Sequence, residues 1–414
     1  MQVAVIGGGV IGVCTAYYLA EAGHEVVVLE RHSNVAEQAS FGNAGIIASG
    51  DVPTWAAPGM SGKILSMLLQ TEAPVKFSPT MSRSFWRWVR LWMRECRLER
   101  FRVNKERMQR VVGYSRDVLH ELRHQHELDY ESTQGYLQLF RDRRELQLAE
   151  PALALLADSG TPHRLVDGDG AREIEPALSS QTDLAAALYL PQGESGNCPL
   201  FTKQLKVLAQ KMGVTFHFNA EVKSLRSSGQ RVTLDIDQQS FQADAVVLAA
   251  GVDSAALLAT LGLRVPLYPV KGYSATAQIR DFDEAPRSAL MDEAYKVGIV
   301  RMGSRIRIAG TAELGAPLHT LRDASLRTLI KVGNDWFPNA ANFHSASFWC
   351  GARSMLPDGA PLLGPTPINN VFLNIGHGAN GWAMAPGSGR ILADLISHRT
   401  PDIDLDGLTI ERYN

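Results

Sequence analysis

The sequence predicts an α/β protein: a doubly wound parallel sheet assembled from discontinuous segments, joined to a mixed α+β domain that carries an antiparallel sheet. Three observations predict it. A strand, a glycine turn, a helix and a second strand follow one another before Glu30. An unbroken apolar run, Ala243 to Leu248, ends in Ala-Ala-Gly251 and reads as a buried parallel strand returning to the first sheet. Between Tyr268 and Ala309 apolar and polar residues alternate, as they do in antiparallel strands.

In chain order, Val3 to Ile6 is the opening strand and Val10 to about Ala22 its helix, stopped by Gly23 before the strand Glu25 to Leu29. Ser61 to His126 reads as helical and is rich in Arg, Trp and Met; Gln134 to Phe140, Ala187 to Leu190 and Val214 to Phe218 read as strands. Val222 to Asp237 is a meander around the turn Ser227 to Gly229. Tyr268 to Ile279, Leu290 to Arg301 and Arg305 to Ala309 form the antiparallel set, the last two meeting at Gly303-Ser304. Val371 to Asn374 is a strand, followed by a glycine-rich turn from Gly376 to Gly381 and a helix to about Ser397. The expected division places residues 1–60, 194–262 and 345–414 in the first domain and residues 61–193 and 263–344 in the second.

Composition narrows the function. The 414 residues are 45% hydrophobic, enough for two packed cores. Lys plus Arg (41) nearly balances Asp plus Glu (43), so no overall field holds a polyanion and nucleic acid is not an expected partner. The four cysteines, Cys14, Cys96, Cys198 and Cys350, lack CxxC spacing and fit a reducing compartment, with no metal site expected. The start shows no basic n-region or cleavage site, so no export signal is expected. Nowhere do about 18 apolar residues run together, the least a spanning helix needs.

The first motif with chemistry is Gly7-Gly8-Gly9-Val10-Ile11-Gly12, which fits GxGxxG between a strand and a helix, with Glu30 closing the next strand. Gly7 makes the tight turn, Gly9 lets the backbone approach a pyrophosphate, Gly12 packs helix on strand, and the helix N-terminus offers free N–H groups to phosphate. Glu30, with Arg31 beside it, stands where ribose hydroxyls are bound. The expectation is a Rossmann-like dinucleotide site, NAD and FAD being equally compatible with this turn.

Later segments separate the two. Ser40-Phe-Gly-Asn-Ala-Gly-Ile46 resembles the second cofactor loop of the flavoprotein superfamily that includes glycine oxidase and D-amino-acid oxidase, and Asp244 to Gly251 resembles its second glycine motif. Taken alone, each is equally a turn or a core strand; their shared order favours FAD. The resemblance implies cofactor contacts from Ser40, Asn43, Ala44, Gly45, Ile46, Val222, Ala250, Gly251, Gly376, His377, Gly378 and Gly381. Within that superfamily, Trp55 to Gly59, Gly135 to Arg141, Pro269 to Ser274, Asp292 to Lys296 and Trp349 to Gly359 look most like the D-amino acid dehydrogenases, along essentially the whole chain. That likeness implies oxidative deamination of a D-amino acid, with electrons leaving to a quinone-type acceptor. The alternatives are an oxygen-using oxidase, a dehydrogenase for a hydroxyproline epimer or, in another class, a flavin-bearing tRNA-modification module.

Such chemistry needs the substrate carboxylate fixed and its amine neutral. Arg353 matches the superfamily's carboxylate-binding arginine, and its planar fork suits a bidentate carboxylate. Tyr273 and Tyr295, placed on strands, are candidate substrate contacts and equally half-buried core residues. His377 is a substrate or flavin contact by side chain, or by backbone alone. No general base is assigned; Lys271 and Lys296 are the alternatives. Cys350 lies one residue from the position at which a related sarcosine oxidase bonds its flavin, a place that falls on Gly351, so non-covalent FAD is expected.

Arg83, Arg87, Arg90, Arg94 and Arg97 recur at helical spacing, with Phe85, Trp88, Trp92 and Cys96 on another face. Residues 83–97 therefore read either as a solvated arginine face or as a contact with an anionic membrane. With the resemblance, the expectation is a protein at the cytoplasmic side of a bacterial inner membrane.

Overall fold

The computed structural model describes residues 1–48, 50, 52–60, 75–78, 80–158, 160–237 and 239–413. The part of the helical reading that covers 61–74 lies outside them. The six-stranded sheet has the spatial order Leu362–Pro365, Val371–Ile375, Ala245–Leu248, Gln2–Ile6, Glu25–Leu29 and Thr215–His217. The central four strands run parallel, Val3 opposite Ala245 on one side and Val26 on the other, as the glycine turn and returning apolar run predict.

Alternation along these strands divides the sheet between two cores. Val3, Val5, Val26, Val28 and Val247 pack under the helices Val10–Glu21, Leu98–His126, Cys198–Lys211 and Gly381–Ile396. Ala4, Ile6, Val27, Leu29 and Leu248 face the helix Ser254–Thr260 and a meander of three strands, Val222–Ser227, Val232–Ile236 and Gln239–Ala243. The helix Cys198–Lys211 was not anticipated, although its start is written locally: Asn197 accepts from Leu200 N at 3.2 Å, and a proline occupies the first turn.

The second sheet has ten strands. Its main path runs Ser347–Met355, Tyr268–Gln278, Arg305–Leu314, Val297–Met302, Ala289–Asp292, Thr133–Phe140, Ala186–Ser195 and Ile46–Ile47, with Val75–Phe77 and Arg164–Val166 paired alongside. One face (Leu139, Tyr273, Ile299, Ile308) packs on the helix Asp323–Trp336. By the period of two, the other face carries Gln138, Met291, Gly298, Arg307, Thr311, Gly272, Trp349, Gly351 and Arg353.

The expected strand Leu290 to Arg301 is two strands joined by a turn, so Tyr295 sits in that turn rather than on a strand. Its ring covers Arg141, whose guanidinium bridges Asp292 at 2.7 Å and Asp335 at 2.8 Å. Asp292 also accepts from Trp336 Nε1 (2.7 Å) and Tyr295 N (3.0 Å), which fixes the turn. Asp292 to Lys296 therefore owes its pattern largely to a buried ion network.

Candidate active site

A cavity of about 1000 Å³ extends from the glycine turn across the open face of the ten-stranded sheet. At one end are Gly7, Gly9, Val10 and Ile11. Gly7 has φ +108°, and a Cβ there would stand 2.6 Å from Ala249 O; a Cβ at Gly12 would collide with Gly7 O. The helix begins with no side-chain cap from Gly9, and Val10 N donates to Ser40 Oγ at 3.0 Å. The N–H groups of Ile11 and Gly12 have no partner among the described residues and remain available to an anion. Gly12→Ala is expected to empty the site: protein purified from this variant should lack the absorbance of a bound dinucleotide, and full retention would contradict this packing.

Glu30 is buried at the rim, accepting from Gly8 N (2.6 Å) and His32 N (2.8 Å), while Arg31 pairs with Asp253 at 3.0 Å. Ser40, Asn43, Ala44, Ile46, Val222, Ala250, Gly251, His377, Gly378 and Gly381 also line the cavity. Gly12, Gly45 and Gly376 do not: Gly12 lies in the first turn of the helix Val10–Glu21, and Gly45 and Gly376 lie in loops beside the strands Ile46–Ile47 and Val371–Ile375.

Arg353 projects from the strand Ser347–Met355 with its open side turned into the cavity. Its only hydrogen bond among the described residues is to Thr311 O, at 3.2 Å, and no carboxylate faces it. Burial pushes its pKa down to about 10, so it stays charged near neutrality. Gly272 is what lets it lie there: a Cβ at that position would be 2.5 Å from the guanidinium carbon. Even half-buried, a cation without a counter-ion is unfavourably placed until an anion arrives. Sequence reading missed Gly272, because its pairing opposite Gly351 is a matter of register.

His377 is 4% exposed and lines the cavity, with Nε2 unpartnered among the described residues. Burial lowers its pKa to about 3, so the ring is neutral in the folded protein. The unfolded value is about 6.5, so the stability conferred by keeping this ring neutral is present above that pH and is lost as pH falls toward 3. Thermal melts at pH 7 and 5 should show a smaller acid loss for His377→Gln than for the parent; equal losses would contradict the assignment.

The two tyrosines differ. Tyr273 borders the cavity, but it is 1% exposed and its hydroxyl donates to Glu313 at 2.9 Å; Tyr295 is not among the cavity-lining residues, whereas Glu293 and Lys296 are. Lys296 pairs with Glu293, which also accepts from Gln138 at 2.6 Å. Lys271 is buried on the far side, bonded to Thr320 O and 3.8 Å from Glu313. Cys350 donates to Leu318 O at 3.5 Å and packs into the opposite core, so the thiol does not reach the cavity.

A parallel-sheet glycine turn that opens onto a second sheet bearing an uncompensated arginine defines an enzyme class: a nucleotide-cofactor oxidoreductase that holds an anionic substrate against its cofactor. The family model for FAD dependent oxidoreductases matches residues 2–395, and the chain belongs to that family. It is 42% identical to a D-amino acid dehydrogenase of Vibrio vulnificus, each chain covered entirely. A D-amino acid dehydrogenase of Bradyrhizobium diazoefficiens is 43% identical, over 100% of this chain and 99% of that one. Glycine oxidase from Geobacillus kaustophilus shares the fold, with a TM-score of 0.77 and 23% identity over 99% of this chain and 98% of that one.

The cofactor is thus FAD, and the residues present fit it. The uncapped helix start and the buried acceptor Glu30 suit pyrophosphate and ribose, and the orphaned His377 Nε2 and adjacent glycine turn offer polar groups to a flavin edge.

Proposed function

We infer that this enzyme oxidises D-amino acids at the Cα–N bond, yielding the imino acid that water converts to a 2-oxo acid and ammonia. The observation that carries this reading is Arg353: a half-buried fork without a carboxylate partner among the described residues, facing the cavity from the sheet that roofs the cofactor cleft. It binds the substrate carboxylate bidentately and so orients Cα toward the cofactor side of the cavity; non-covalent FAD, when bound, would supply the hydride acceptor. Gly7 to Gly12, Glu30, Arg31 and Val222 would hold the adenosine end, and Ser40 to Ile46 with Gly376 to Gly381 would hold the ring. Residues 1–60, 194–262 and 345–414 supply the FAD-binding domain, and residues 61–193 and 263–344 shape the substrate side together with the strand Ser347–Met355, which carries Arg353 into the second sheet. Anaerobic addition of D- and L-amino acids, glycine, sarcosine and hydroxyproline epimers tests the reading. Loss of flavin colour with D-amino acids is expected, and no loss with any amine would overturn it.

The acceptor is a quinone, met at an anionic membrane on the cytoplasmic side. The helix Arg83–Glu95 carries the support. Its Phe85, Trp88 and Trp92 are buried against its own domain, Trp88 Nε1 donating to Met355 O at 3.1 Å. Its outer face presents Arg83, Arg87, Arg90 and Arg94, none ion-paired among the described residues, beside Trp86 (54% exposed) and Met93 (43%). No helix among the described residues is long and apolar enough to cross a membrane. Each cation near an anionic surface contributes about 1 kcal/mol, so reversing three (Arg87→Glu, Arg90→Glu, Arg94→Glu) should weaken co-flotation with anionic vesicles at least roughly 100-fold. Equal flotation with zwitterionic vesicles, or none with either, would contradict this contact. Fast reoxidation by oxygen with peroxide release, in place of reoxidation by a quinone analogue, would reassign the enzyme as an oxidase.

A further inference from the structure

A second arginine on the cavity side of the ten-stranded sheet also lacks a carboxylate partner. Arg307 is 5% exposed, and burial pushes its pKa down to about 10. Its hydrogen bonds go instead to neutral oxygens: Nε donates to Thr276 Oγ1 (2.7 Å), and one terminal nitrogen donates to Phe41 O (2.8 Å) and Asn43 O (3.1 Å). A buried guanidinium spent on two carbonyls of one loop is an expensive way merely to fill space, since an apolar side chain would fill it without desolvating a charge. Its effect falls on the loop.

That loop is the segment Ser40 to Ile46, which crosses from the glycine turn to the second sheet. It is fixed at several other points. Ser40 Oγ takes Val10 N, Asn43 Oδ1 takes Gly45 N at 2.7 Å, and Gly45 O takes Gly196 N at 2.8 Å. Between these points the peptide joining Asn43 to Ala44 is oriented by Arg307. In a planar trans peptide the N–H points opposite to the C=O. With Asn43 O turned to Arg307, the Ala44 N–H points away from the sheet. Ala44 lines the cavity, and its N–H has no partner among the described residues.

We propose that Arg307 is a positioning residue for the cofactor: by holding the carbonyls of Phe41 and Asn43 it aims the Ala44 N–H into the cavity, as a fixed donor to an acceptor atom of the flavin ring. The inference rests on the ring lying along Ser40 to Ile46. A preset donor at the ring favours the reduced flavin, which carries more negative charge. Arg307 touches neither substrate nor cofactor, and its contribution is the orientation of one peptide.

The test uses holoenzyme of Arg307→Met, Thr276→Val and the control Gly9→Val, reading FAD dissociation, the visible flavin spectrum and the flavin midpoint potential. Arg307→Met is expected to release FAD with a dissociation constant raised roughly tenfold or more. Its midpoint should be more negative and its visible band shifted. Thr276→Val, which removes only the anchor of Nε, should shift the same three readings less. A lowered melting temperature with all three unchanged would make Arg307 a structural residue and overturn the proposal. Should Arg307→Met fail to fold, Thr276→Val decides: shifts in the same direction support the proposal and unchanged readings overturn it. FAD retained in full by Gly9→Val would overturn the cofactor placement itself, whatever Arg307 does.

Discussion

Arg353→Ala is expected to lower kcat/KM for a D-amino acid by roughly 10² to 10⁴, because two charge-assisted hydrogen bonds of about 1.5 to 3 kcal/mol each disappear. FAD should stay bound, since Arg353 makes no contact with the glycine turn. The substrate-free enzyme should become no less stable and is expected to melt at an equal or higher temperature. The physical reason is that Arg353 is held by one carbonyl and faces no counter-ion, so its burial costs stability until a carboxylate arrives. An arginine kept for the fold would behave in the opposite way. Arg353→Lys should restore only part of the activity, because an ammonium cannot reproduce the planar fork. Steady-state kinetics and a thermal melt on the same preparations separate the two roles, and a destabilised variant with unchanged kcat/KM would refute the carboxylate site.

Arg412→Ala should have the largest effect on stability, about 3 to 5 kcal/mol, by leaving a buried carboxylate unpaired. Arg412 and Asp358 are each 8% exposed and meet at 2.8 Å, and the same guanidinium donates to Pro361 O (2.8 Å) and Ala360 O. This clamp holds the C-terminal residues against the turn Pro357 to Gly359, just past the strand that presents Arg353. Urea unfolding of the holoenzyme measures the loss; a change under about 1 kcal/mol, the size of an exposed pair, would show that the clamp is not buried in solution.

These residues were legible in the sequence to different degrees. The glycine turn was legible because its constraint is local: at Gly7 and Gly12 a Cβ collides with backbone, and only one residue type survives. Arg353 was legible through its flanking residues. Arg307 was not, because its meaning comes from carbonyls as far as 266 positions away and no local pattern records them. Tyr295 was misplaced for a related reason. Apolar alternation from Leu290 to Arg301 survives the interruption at Glu293 to Lys296, while that turn is held by Asp292 through Arg141 and Trp336, contacts made across the sheet. The joining of the antiparallel strands to Thr133–Phe140 and Ala186–Ser195 in one ten-stranded sheet is likewise a fact of long-range pairing. Tyr273 shows the limit of residue type as evidence: it borders the cavity, yet its hydroxyl is committed to Glu313.

The most direct test of the account is stopped-flow reduction of the flavin, without oxygen, by one D-amino acid and its L-enantiomer in the parent enzyme and in Arg353→Ala. Rapid bleaching of the parent by the D-enantiomer alone is expected, and in the variant a half-saturating concentration raised at least roughly tenfold with FAD still bound. Equal half-saturation in parent and variant, or bleaching by the L-enantiomer instead, would contradict it.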